Sequence, residues 1–118
     1  MADKKNSILQ GSLDLLVLQS LRQGPRHGYS ITRHLTEVSE EFLRVEEGSL
    51  YPALHRMERK GWIKSRWGTS ESNRRAKFYE LTTNGKKQLR AEVEKWQSMS
   101  KAIDQVLGFR VKLTGGQA

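Results

Sequence analysis

The sequence predicts a mainly α-helical fold with one small two-stranded β-unit and a long C-terminal helix. Three observations carry this expectation. Residues 48–63, GSLYPALHRMERKGWI, place Leu50, Leu54 and Met57 at i, i+4 and i+7, the apolar stripe of a short helix. Directly after it, Trp62 to Trp67 and Lys77 to Leu81 alternate large apolar with polar residues, as strands do. Between them lies a polar, flexible stretch, Gly68 to Ala76, that carries Arg74 and Arg75. Finally, Leu89, Val93, Trp96, Ala102 or Ile103, and Val106 step by threes and fours, near the seven-residue period of a helix that pairs with another helix. Helix, strand, basic loop, strand is the outline of a recognition helix and its wing. The expected architecture is therefore a winged helix-turn-helix plus a long C-terminal dimerisation helix.

Taken in order, residues 1–7 read as a polar, solvated tail with Lys4 and Lys5 as candidate phosphate contacts. The first helix is expected over about Leu13–Arg22, with Ser12 as its cap and Asp14 in the first turn, where the helix dipole favours an anion. Its leucines wrap more than one face, so its second side needs a cover, for which a partner subunit is the candidate. Gly24-Pro25 stops it. A second helix follows from about Gly28 to Ser39 with Ile31, Leu35 and Val38 as its core stripe. A Glu-rich stretch then crosses over, anchored inward by Phe42, Leu43 and Val45. Ser49 is the expected cap of the third helix, Pro52 falls in its first turn or two, and Gly61 ends it. The last helix starts after Thr82 or Thr83 and ends at Gly108. The expected units are a DNA-binding domain over 1–81 with its wing at about 62–81, a dimerisation helix over 82–108, and a flexible tail over 109–118.

Charge narrows the class of partner. The 118 residues carry a formal net charge of +8, and residues 55–77 hold eight Lys or Arg against two Glu. A concentrated basic patch makes a directional field for a polyanion. No cysteine is present, which excludes disulfides, thiolate metal sites and cysteine nucleophiles. His27, His34 and His55 are widely spaced and do not suggest a metal site. The pairs Glu40-Glu41 and Glu46-Glu47 read as a solvated acidic crossover. No phosphate loop, nucleophile elbow or zinc pattern appears. The expectation is a protein that is not an enzyme and has no cofactor. The start lacks an apolar leader and no run is long enough to span a membrane, so a cytoplasmic location is expected.

Candidate contacts follow from position. Ser49, Tyr51 and Pro52 lie at the start of the third helix, the part that enters a major groove. His55 and Arg56 lie one turn on, within reach of base edges or phosphates, and an Arg on guanine would be the most informative contact. Arg74, Arg75 and Lys77 are the wing contacts, which position rather than specify. Trp96 sits mid-helix on the pairing stripe, either as interface packing or as the flat wall of a ligand pocket between subunits. Trp62 and Trp67 read as wing packing. The alternative reading is a winged-helix module that binds RNA or a protein partner.

Three stretches, GSLDLLVLQSLRQGPRHGYSI (11–31), GSLYPALHRMERKGWI (48–63) and RRAKFYELTTNG (74–85), resemble the PadR family of bacterial transcriptional regulators. The resemblance spans about residues 8–107 and is similar to the short subfamily with a single C-terminal helix. It implies a homodimer on a palindromic double-stranded DNA operator, repression, and release by a small-molecule effector. It also implies a phosphate contact for Tyr29 at the start of the second helix. WQSMSKAID (96–104) is similar to the segment where a multidrug-binding member places a drug-stacking tryptophan, and Trp96 matches it.

Overall fold

The computed structural model describes residues 12–109, so the expectations for residues 1–7 and for the tail past Phe109 lie outside the described residues. Helix α1 covers residues 12–20. It is followed by strand β1 (Arg26–His27), helices α2 (Gly28–Val38) and α3 (Glu47–Arg59), strands β2 (Ile63–Thr69) and β3 (Arg75–Leu81), and helix α4 (Thr83–Leu107). The strands form one antiparallel sheet in the order β1-β3-β2, with Arg26 opposite Tyr79, Ile63 opposite Leu81 and Thr69 opposite Arg75. The expected two-stranded wing is the β2–β3 hairpin. β1 adds a third strand that the sequence does not announce, because two residues are too few to show an alternation.

Several local expectations are corrected. Ser12 lies within α1 rather than capping it, and Arg22 already belongs to the following turn. Helix α3 begins earlier than Ser49 suggests. Its N-cap is Glu46, whose side chain makes no capping bond and whose carbonyl accepts from the amides of Ser49 and Leu50. Ser49 is therefore a helical residue, and Pro52 is the sixth residue of the helix. There the missing amide hydrogen leaves the carbonyl of Gly48 without its usual partner. Gly61, at φ +81°, adopts the left-handed geometry that ends the helix. The wing loop is also shorter than Gly68–Ala76. Both strands run on to Thr69 and Arg75, and the turn between them is closed by the Ser70 amide on the Arg74 carbonyl at 2.8 Å.

The core gathers one face from every layer: Leu13, Val17 and Leu18 of α1 with Leu21 just after it, Ile31 and Leu35 of α2, and Leu50, Ala53, Leu54 and Met57 of α3. Val45, Ile63, Tyr79 and Leu89 close it. Val45 is an inward anchor as expected, but Phe42 is 87% exposed and Val38 69% exposed, so neither belongs to the core. Both flank a turn in which Glu40 and Glu41 take positive φ (53° and 68°). The Glu41 amide closes that turn on the Thr36 carbonyl. The turn swings Phe42 outward, away from the stripe that its sequence position implies.

The last helix has a different character. Thr82 caps it by accepting the Gly85 amide at 3.0 Å, while its hydroxyl donates to the Gly61 carbonyl at 2.6 Å. This one side chain ties the start of α4 to the end of α3. Gly85 and Leu89 are the buried residues of α4. Over the rest of its 25 residues, about 37 Å at 1.5 Å per residue, Trp96, Met99, Ile103, Val106 and Leu107 stand exposed in the single chain.

Leu54 has no accessible surface and contacts the core from the middle of α3. Leu54→Ala is expected to lower the unfolding free energy by about 2–5 kcal/mol, through lost burial plus the cavity left behind. Urea denaturation should show this as a lower midpoint with an unchanged slope.

Candidate nucleic-acid interface

Because Leu50, Ala53, Leu54 and Met57 face inward, the helical repeat leaves Gly48, Pro52, His55 and Arg59 on the outer line of α3. All four are exposed, with Ser49, Tyr51 and Arg56 half-buried at the margins of that line. The structure thus brings Ser49, Tyr51, Pro52, His55 and Arg56 together on one helix. Tyr29, at the start of α2, is 57% exposed, with the Arg33 guanidinium 5.8 Å from its ring centre.

Tyr51 is not a loose side chain. Its ring lies over the Cα of Gly28, the first residue of α2, so a Cβ there would overlap the phenol. Burial first, and then the Glu47 carboxylate one turn away, push its phenol above the ordinary tyrosine range. The phenol therefore stays protonated at neutral pH and is available as a hydrogen-bond donor. Glu47 is exposed in the first turn of α3, an acidic residue at the end of the helix expected to enter a groove.

Arg56 is engaged within the chain. Its guanidinium forms two bonds to Asp14 of α1, Nη1 to Oδ2 and Nη2 to Oδ1, each 2.8 Å. The hydrogen bonds it donates to Asp14 hold its pKa above the ordinary arginine value. Asp14 is thus the partner of Arg56 across 42 residues of sequence. Its predicted role was to sit on the α1 dipole, and nothing in the sequence pattern links the two.

The wing presents its cations on a shared face. Trp67 pairs with Lys77 and Thr69 with Arg75, and these positions lie an even number of residues from Ile63 and Tyr79, which face the core. Trp67, Lys77 and Arg75 therefore continue the core face of the sheet outward, beyond the core itself. The Arg75 guanidinium lies 4.6 Å from the Trp67 ring centre, so Trp67, 57% exposed, supports a cation rather than packing inside. Trp62 is half-buried against the core, with Lys60 4.7 Å from its ring. Arg74 is exposed in the turn.

The tip of the wing also turns back on the helices. The Nδ1 of His27 accepts the Ser30 amide, capping α2, while its Nε2 lies 3.6 Å from the Glu71 carboxylate and its ring meets Phe78 edge-on. Glu71 is held below the usual carboxylate range by its own backbone amide first and then by His27. The His27–Glu71 contact went unseen in the sequence, since its halves lie 44 residues apart. Among the described residues no cluster of three or more His, Asp or Glu could hold a metal ion. None of the described helices is long and apolar enough to cross a membrane.

A second feature lies away from this surface. Leu15 and Leu16 of α1, Phe42 and Leu43 after α2, and Trp96 of α4 line an apolar groove of about 620 Å³. Trp96 is 49% exposed at its wall. The groove lies on the side of α1 opposite its core face.

A three-helix unit with a basic hairpin wing, an outward recognition helix and a separate apolar groove defines a winged-helix DNA-binding regulator. A profile described as the transcriptional regulator PadR-like family matches residues 17–91. The chain belongs to that family. Among solved structures, it is similar to a transcriptional regulator from Clostridium thermocellum, at 30% identity and TM-score 0.76, over 84% of this chain and 96% of that one. It is also similar to a PadR-like transcriptional regulator from Bacillus cereus, at 28% identity and TM-score 0.75, over 88% and 99%. The negative transcriptional regulator PadR of Bacillus subtilis is 31% identical over 77 residues, which are 65% of this chain and 42% of that protein.

The contact between Gly28 and Tyr51 is open to a double-mutant test. Gly28→Ala is expected to destabilise the fold by about 1–3 kcal/mol, through overpacking against the phenol. In a Tyr51→Ala background the same change should cost much less. Urea denaturation of the two single variants and the double variant measures that coupling.

Proposed function

We propose that the protein is a homodimeric, sequence-specific regulator that sets α3 of each subunit into the major groove of a palindromic operator. The observation that carries this reading is the outward line of α3, with Pro52 and His55 on it and Ser49 and Tyr51 at its margins, together with the wing cations Arg74, Arg75 and Lys77. Tyr51 and His55 are assigned to base edges or the phosphates beside them. Tyr29 and the wing cations are assigned to phosphates, where they set register. The exposed stripe Trp96, Met99, Ile103 and Val106 of α4 supports pairing of two chains, since so long an apolar stripe is poorly suited to water. Residues 82–108 are then the dimerisation helix and 1–81 the DNA-binding unit. Two such subunits would place their recognition helices about one DNA turn apart, roughly 34 Å. We assign repression as the regulatory sense and a small apolar or aromatic effector as the release signal. The apolar lining of the groove at Trp96 supports such a ligand.

The test is fluorescence anisotropy of a duplex from the region upstream of the gene, against an unrelated duplex, at several salt concentrations. Tight binding to the upstream duplex that falls steeply with salt is the expected result. His55→Ala should weaken operator binding by about 1–3 kcal/mol with little effect on the unrelated duplex. Arg74→Gln with Arg75→Gln should weaken both and lower the salt slope by about two. Equal, weak binding to both duplexes by the wild type would overturn the reading and bring an RNA or protein partner forward.

A further inference from the structure

We infer that Arg56 does not read DNA but is a positioning residue that holds α3 in place through Asp14 on α1. The inference rests on the reading of α3 as the DNA-facing helix. Three observations carry it. The two Nη donors, the pair that would span guanine O6 and N7, are both directed to Asp14 at 2.8 Å. The acceptor is matched to this use, for Asp14 presents one carboxylate oxygen to each nitrogen and the fork is filled on both sides. This is also the one side-chain hydrogen-bonded link between α1 and α3 among the described residues.

Beyond the fork, α1 and α3 share one apolar core cluster, with Leu13, Val17 and Leu18 from α1 and Leu50, Leu54 and Met57 from α3. Apolar packing resists separation of two helices but is weakly directional, so small rotations of α3 about its axis are poorly opposed by it. The fork is directional. It fixes the rotation that decides whether the neighbouring His55, on the outer line, points into a groove. The charges agree with this role. A carboxylate near DNA repels phosphate, and the Asp14–Arg56 pair is neutral as a unit, so it adds nothing to the field of the basic patch. The side chains are 40% and 23% exposed for Arg56 and Asp14, shielded enough for the fork to hold yet close to the surface that His55 occupies.

The experiment compares wild type, Asp14→Asn and Arg56→Gln on the operator and unrelated duplexes, at a temperature where circular dichroism shows all three folded. Asp14→Asn is the deciding variant, because it is isosteric and leaves the Arg56 cation in place. The expected result is operator binding weakened about tenfold or more by either substitution. Binding to the unrelated duplex should be retained, and the salt slope should stay within about half a unit of wild type. If Arg56 instead contacts DNA, Asp14→Asn releases a cation and removes an anion. Operator binding would then stay the same or tighten, and Arg56→Gln would lower the salt slope by about one. Either of these results overturns the inference. A wild type without operator preference would instead defeat the DNA reading on which it rests, so the two failures are distinguishable.

Discussion

Four side chains of α3, Leu50, Ala53, Leu54 and Met57, keep 3% or less of their surface exposed, and the rest of the surface is arranged around that stripe. A helix repeats every 3.6 residues, so burying these positions determines which others face out. It also sets where the chain goes next. Gly61 ends the helix with a left-handed turn, and Ile63 re-enters the same core two residues later. The wing is therefore held beside α3 by a continuous apolar surface. Thr82 reinforces the junction, since its hydroxyl donates to the Gly61 carbonyl and accepts from the Gly85 amide of α4 at once. Burial at about 25 cal/mol per Å² accounts for the rigidity of the unit. The polar bonds at its corners account for its register.

The basic patch is less uniform than its sequence suggests. Residues 55–77 hold eight cations, but several are occupied within the chain. Arg56 is bound to Asp14, Lys64 lies 3.4 Å from Glu80, and Lys60 rests on Trp62. Glu58, near the end of the helix, accepts from Ser65 at 2.7 Å, which pins α3 to β2. Of the other five cations, Arg66 lies over the Phe78 ring, Arg59 stands on α3, and Arg74, Arg75 and Lys77 form a group on the wing. Contacts by such cations orient a protein on DNA, while discrimination between bases falls to the short polar side chains between them.

Much of this was legible in the sequence, and the divisions are instructive. The core stripes of α3 and the early part of α4, the hairpin and the glycine at the end of α3 were readable because each is a local, repeated signal. The failures share a different cause. Ser49 looks like a helix cap, yet the helix begins at Glu47 with Glu46 as its N-cap, so Ser49 falls inside the first turn. Val38 and Phe42 follow the apolar pattern but are exposed on either side of a turn through two left-handed glutamates that no periodicity reveals. Asp14–Arg56 and His27–Glu71 join residues more than forty positions apart, and charge complementarity alone does not select one such pair among many. Pairwise polar contacts between distant segments are the part of a site that a single sequence hides.

Helix α1 then takes on a meaning that its composition only hints at. It is apolar on two faces, and the structure uses them differently. Leu13, Val17 and Leu18 join the core against α3, and Leu15 and Leu16 form a wall of the groove that also contains Trp96. One helix, two faces and a polar fork mean that whatever lies in the groove shares an element with the helix that presents Tyr51 and His55. A rigid element in contact with both regions is the simplest physical route by which the state of one can bias the other, provided that α1 has two arrangements of comparable energy. The fork makes the junction directional, because it ties α1 to α3 at a defined geometry, whereas apolar packing is not directional.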